Sequence, residues 1–150
     1  MKVTFIYRGK TKPEVIYEKF TEKVIKLMKT IYALPDRIEI QFENLGPSVY
    51  GMTVLDPRFP NRIRINQDLS LDEFMLPLTH ELLHLHQMFT NRLQSRSGGR
   101  ILFDNVLYKV NNATMSYCEY IQLPWESDVA EKQQKLLAFL RENNRKLKAL

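Results

Sequence analysis

The 150-residue chain has a single cysteine, Cys118, and only three histidines, all of them between positions 80 and 86. A lone cysteine can neither close an intramolecular disulfide nor build a cysteine metal cluster, which fits a reducing compartment. The five glycines and seven prolines are scattered, no segment is low in complexity and there is no internal repeat. Collagen-like, linker-like and largely disordered classes are thereby excluded. No apolar run approaches the ~20 residues that cross a bilayer. Met1 to Lys10 alternates apolar with polar residues and lacks the continuous apolar stretch of a signal peptide, so the cytoplasm is the expected location, with no membrane partner.

What is present suits one globular domain over residues 1–150, with 44% hydrophobic and 26% charged residues. Twenty-two basic against seventeen acidic side chains give a net charge of +5. Much of the excess sits near the C-terminus, where Arg141, Arg145, Lys146 and Lys148 follow a helical pattern. This reads first as a solvated helix end, with nucleic-acid contact as the weaker alternative.

Hydropathy patterning predicts an α+β domain. Val3, Phe5 and Tyr7 alternate with Thr4, Ile6 and Arg8, as in a strand buried on one face. Thr11, Pro13 and Glu14 mark a helix start, and Tyr17, Phe20, Val24, Leu27 and Ile31 form an apolar stripe ending near Leu34-Pro35. Three strands are expected next, around Ile38–Phe42, Val49–Leu55 and Ile63–Ile65; the charge of Arg62 and Arg64 gives the third the profile of a sheet edge. Ser70 and Glu73 form a capping-box pattern that opens a helix to about Leu93, with a kink or restart at Pro77. Asp104-Asn105 is a two-residue hairpin turn between Ile101–Phe103 and Val106–Val110. After a less regular stretch from Asn111 to Leu123, Pro124 starts a final helix carrying Leu136, Leu140 and Leu147.

The chemistry is concentrated in His80-Glu81-Leu82-Leu83-His84. A shuffled chain of this composition would contain such a His-Glu-x-x-His about 0.003 times, so coincidence explains it poorly. On a helix the two histidines stand about 40° apart and one turn removed, so both imidazoles can reach one ion. Glu81 falls about 100° from His80, where a carboxylate can serve as general base without occupying the metal's coordination shell. Leu78, Leu82, Leu85 and Phe89 form the opposite, apolar side. His86 points about 160° away from His84 and reads as structural.

A catalytic zinc site needs a third protein ligand and an open fourth position. The metzincin extension would need Gly at 87 and His at 90, but Gln87 and Thr90 stand there and no histidine follows. A carboxylate must therefore serve, from among Asp104, Glu119, Glu126, Asp128, Glu131 and Glu142. Glu126 fits best, in the first turn of a helix opened by Pro124-Trp125, with small Ala130 one turn later letting two helices approach. Asp128 is the alternative ligand or else a first-turn acid favoured by the helix dipole. Trp125 reads as a packing anchor.

The His80–His84 motif, followed by Leu123-Pro124-Trp125-Glu126-Ser127-Asp128-Val129-Ala130, resembles the gluzincin class of zinc metallopeptidases. It is most similar to the small single-domain forms often encoded by phages and prophages. The resemblance implies a minimal zincin-like fold, Zn2+ held by His80, His84 and Glu126, Glu81 as general base and a peptide or protein substrate. It also implies that an edge strand before the metal-binding helix, Arg62 to Asn66, pairs with substrate, so that Arg62, Arg64 and Asn66 contact or flank it. Charge that guards an edge against aggregation explains the arginines equally well. Thermolysin-like members carry an Asp four residues after the ligand Glu, where this chain has Ala130, and larger members supply a distant His or Tyr. Here the stabiliser of a tetrahedral oxyanion would be Tyr117, Tyr120, an Arg or the metal alone. The alternative reading is a zincin-fold binding or regulatory protein without turnover, against which the retained Glu81 argues.

Overall fold

The computed structural model describes residues 1–9, 14–56, 58–110 and 114–143. Thr11 and Pro13 of the first helix start lie outside the described residues, as do Asn111 and, near the C-terminus, Arg145, Lys146, Leu147 and Lys148. The described elements are β1 (Lys2–Tyr7), α1 (Val15–Met28), β2 (Arg37–Glu43), β3 (Gly51–Thr53), β4 (Arg62–Asn66), α2 (Leu71–Phe89), β5 (Leu93–Arg96), β6 (Arg100–Phe103), β7 (Val106–Lys109), α3 (Tyr117–Ile121) and α4 (Pro124–Glu142).

Strands β1, β2 and β4 pair in parallel and β3 joins antiparallel to β4, giving a mixed sheet in the order β1-β2-β4-β3. The fold is α+β, as the patterning predicts. One sheet face carries Ile38, Ile40, Phe42, Ile63 and Ile65, all buried against Val24, Ile25 and Met28 of α1 and Phe74, Leu78, Leu82 and Leu85 of α2. The other face carries the charged partners in the alternation. Arg62 binds Glu39 at 2.8 Å and Arg64 stands 3.3 Å from Glu43, both across the β2–β4 register.

Those pairs correct the expectation that Arg62–Asn66 is the sheet edge. The strand is interior, and the edge on that side is β3. Strand alternation reports which face is solvated, but it is silent on whether a neighbour occupies the hydrogen-bonding side. Asn66 is likewise buried, its amide donating to the carbonyls of Gly46 and Val49.

Helix α1 stops at Met28, short of the expected Leu34-Pro35, because Thr30, Ile31 and Tyr32 close a turn on the carbonyls of Leu27 and Met28. In α2 the Ser70–Glu73 capping box is made in both directions, and the helix runs on through Pro77. It ends at Phe89 rather than Leu93: Asn91 turns the backbone at φ 61°, and Leu93 begins a strand that pairs with β6. Phe89, expected on the apolar side, is about half exposed. The hairpin turn forms as expected, with Asp104 and Asn105 both at positive φ between paired Phe103 and Val106. The stretch before Pro124 contains α3, whose N-terminus is capped by Ser116.

The second sheet, β5-β6-β7, packs Leu93 and Phe103 on Trp125, so Trp125 is the anchor that seats the start of α4. Leu82→Ala empties a fully buried position and should cost about 2–5 kcal/mol in chemical unfolding. Phe89→Ala, on the half-exposed end of the same helix, should cost clearly less; equal losses would contradict this placement of α2.

Candidate metal centre

The packing of α4 on α2 builds the site. Val129, Leu136 and Leu140 form the buried face of α4. Between them Gln133 donates to the Leu76 carbonyl at 2.8 Å and to Thr79 Oγ1 at 2.9 Å, fixing the helix along α2. Positions 126, 129, 133, 136 and 140 share one side of a helix, so this registration also turns Glu126 toward α2. Ala130 is not in that contact: it is exposed at the rim of the groove beside the site, because the close-packed position falls to Val129.

Three ligand side chains converge there, with Glu126 turning one oxygen to each histidine. His80 Nε2 lies 3.1 Å from Glu126 Oε2, His84 Nε2 lies 3.0 Å from Glu126 Oε1, and the two Nε2 atoms are 3.2 Å apart. Two imidazoles and a carboxylate at this separation can hold one metal ion. His84 and Glu126 are buried, whereas His80 is partly exposed on the groove side.

Behind His84 stands Gln87, which the sequence offered only as a departure from another motif. Gln87 is fully buried, and its Nε2 donates to the Trp125 carbonyl at 2.9 Å and to Asp128 Oδ2 at 2.8 Å. Both partners are pure acceptors, so the amide orientation is determined and its oxygen faces His84 Nδ1 at 2.9 Å. The Nδ1 atom must then carry a hydrogen, which leaves Nε2 directed at the ligand cluster. The signal was present in the spacing, since position 87 stands one turn beyond His84.

Asp128 is thereby placed away from the ligand triangle. It accepts from Gln87, from Arg92 at 3.1 Å and from Lys132 at 3.2 Å. Arg92 also binds Asp104 through two bonds of 2.8 and 2.9 Å, tying the hairpin turn to the end of α2 and the start of α4. Glu119 pairs with Ser116 in the cap of α3. His86 donates from Nδ1 to the Ala33 carbonyl and packs edge-on against Tyr32, outside the site.

Glu81 is buried beside the triangle, and Thr53 Oγ1 donates to its Oε2 at 2.5 Å. Burial pushes the Glu81 carboxyl up, against the pull of His84, His80 and Thr53. A divalent cation on the histidines would pull it back down. Tyr120 donates its hydroxyl to Glu126 Oε1 at 2.9 Å, and burial together with the Glu126 charge pushes that phenol up, keeping it a donor. Tyr117 is 77% exposed at the groove rim and makes no such bond. Arg62, Arg64 and Asn66 line neither of the two hollows that meet at the site.

One hollow, of about 360 Å³, reaches behind Glu81, His84 and Glu126 between apolar walls that include Leu55, Leu93, Ile101 and Leu123. The other is an open groove of about 630 Å³ past His80, Tyr117 and Tyr120. Comparison with family models, with curated proteins and with solved structures finds no match.

In the metal-free protein Glu126 competes with burial for its charge. Burial raises its pKa, but hydrogen bonds from His80 and His84 outweigh that and hold it at about 2. Burial lowers His84, and the Glu126 carboxylate more than offsets it, leaving His84 raised. A proton and a metal ion contend for His84 Nε2, so a raised pKa moves that competition upward in pH. Metal affinity should therefore weaken as the pH falls from about 8 to about 6, with protons released on binding in calorimetry. An affinity flat across that range would contradict the arrangement. Stoichiometry should be one ion per chain, largely lost in His84→Ala and Glu126→Ala and kept in Asp128→Ala.

Proposed function

We propose that the protein is a zinc-dependent peptidase, cytoplasmic in setting, whose metal is held by His80, His84 and Glu126. The observation that carries the reading is the convergence of His80, His84 and Glu126, one donor atom from each within 4.8 Å of the others, with a buried carboxylate, Glu81, lining the same hollows. Three corners of a tetrahedral zinc site with bonds of ~2.1 Å stand about 3.4 Å apart, and one donor atom from each of the three side chains lies within 4.8 Å of the others, so one ion is within reach of all three. Two neutral imidazoles with one carboxylate suit zinc better than magnesium or calcium, which prefer all-oxygen sets. A zinc ion so held would supply Lewis acidity, acidifying water and polarising a peptide carbonyl.

The chain's own groups then have distinct tasks. Glu81 takes the proton from the attacking water and returns it to the leaving amine, a role that a site built only for structure does not require. Tyr120, kept protonated and bonded to Glu126 Oε1, turns its hydroxyl from that carboxylate to the carbonyl oxygen as negative charge develops there. Gln87, backed by Asp128, holds the His84 ring in register. The apolar walls of the inner hollow favour an apolar side chain next to the scissile bond, and β3 offers the free edge for an extended peptide. The exposed, unpaired Cys118 accords with a reducing compartment. No helix among the described residues is long and apolar enough to cross a membrane.

Hydrolysis of internally quenched peptides with apolar residues at the bond tests the reading. Zinc-loaded Glu81→Gln should retain its metal and lose on the order of 10²–10⁴-fold in kcat. Tyr120→Phe should keep the metal and lose about 10–100-fold in kcat. A Glu81→Gln variant as active as the parent would reject the mechanism.

A further inference from the structure

Strand β3 is three residues long, and both of its inward-facing members meet the same side chain. Thr53 Oγ1 lies 2.5 Å from Glu81 Oε2 and 3.3 Å from the Glu81 carbonyl oxygen. At Gly51 a Cβ would stand 3.1 Å from Glu81 Cγ and 3.2 Å from Ile65 Cδ1, so the strand approaches more closely than a larger residue comfortably allows. The Thr53 hydroxyl is the one hydrogen-bond donor to the Glu81 carboxylate among the described residues.

A carboxylate turns about a broad, two-fold terminal torsion, so packing around the glutamate stem defines its plane weakly. A hydroxyl on one oxygen does define it. We propose that Thr53 is the positioning residue for Glu81: its hydroxyl fixes the carboxylate through Oε2 and leaves Oε1 as the oxygen that exchanges protons with water and the leaving amine. The inference rests on the peptidase reading for the role of Glu81, and on geometry alone for the contact itself.

The same residue also faces the open side of the sheet. Asn66 N–H donates to the Tyr50 carbonyl at 2.8 Å and Val54 N–H to the Arg62 carbonyl at 3.0 Å, while Met52 is paired with Arg64. In an antiparallel ladder the alternate residues, Gly51 and Thr53, then turn their main-chain groups outward. A peptide adding to that edge bonds to the backbone of the residue whose side chain aligns the base. Substrate binding and base alignment thus meet in Thr53.

Thr53→Val removes the hydroxyl at nearly constant volume, and Thr53→Ser restores it. With each variant zinc-loaded and its metal content verified, Thr53→Val should lose about tenfold in kcat with KM within about twofold, the scale of one hydrogen bond. Thr53→Ser should recover most of that loss. A second readout is the ¹³C carboxyl resonance of Glu81, assigned by its disappearance in Glu81→Gln; it should move in Thr53→Val and return toward the parent position in Thr53→Ser. Unchanged kcat in Thr53→Val, or a serine variant as impaired as the valine one, overturns the proposal. If the parent cleaves no peptide, the peptidase reading fails by itself, and the resonance decides the contact: no movement in Thr53→Val overturns it.

Discussion

The site depends on how α4 is registered along α2. Two histidines one turn apart on a single helix are fixed relative to each other by helix geometry, but a third ligand from 42 residues further along the chain (126 minus 84) is not. The registration comes from Val129, Leu136 and Leu140 in the shared core and from Gln133 bonded to the Leu76 carbonyl and Thr79. From the other end, Trp125 is clamped by the small second sheet while its carbonyl accepts from Gln87. Glu126 lies between these two attachments, which is why a first-turn residue can be held facing both histidines.

The same arrangement concentrates charge where burial opposes it. Glu81 and Glu126 are both buried, and each is stabilised by specific partners: Thr53 and the histidines for the first, the histidines and Tyr120 for the second. Removing one partner from such a cluster strands the rest. A cation bound at the centre would relieve the confrontation of the two carboxylates, so the polar cluster and the metal form a single electrostatic unit. Around it the Gln87–Asp128–Arg92–Asp104 chain reaches to the surface, joining α2, α4 and the β6–β7 turn without adding a further ligand.

Much of this was legible in the sequence where the determining interactions are local. The Ser70 capping box, the Asp104-Asn105 turn and the placement of His80, Glu81 and His84 on one helix follow from spacings of two to four residues. Glu126 was also identifiable, because Pro124 marks the helix start and first-turn carboxylates are favoured there. Features set by long-range pairing were not. The charges of Arg62 and Arg64 look the same whether their strand is central or at an edge, and only the parallel pairing with β2 tells them apart. Thr53 carries no local mark at all, since its contact with Glu81 spans 28 residues and exists only because β3 reverses against β4.

The most direct test is a crystal structure of the zinc-loaded protein with anomalous data collected on both sides of the zinc edge. The account expects a single peak about 2.1 Å from Nε2 of His80, Nε2 of His84 and an oxygen of Glu126, with the remaining position facing the cavity beside Glu81. A protein that stays metal-free at saturating zinc, or a peak ligated by Asp128 or Glu119 in place of Glu126, would contradict it.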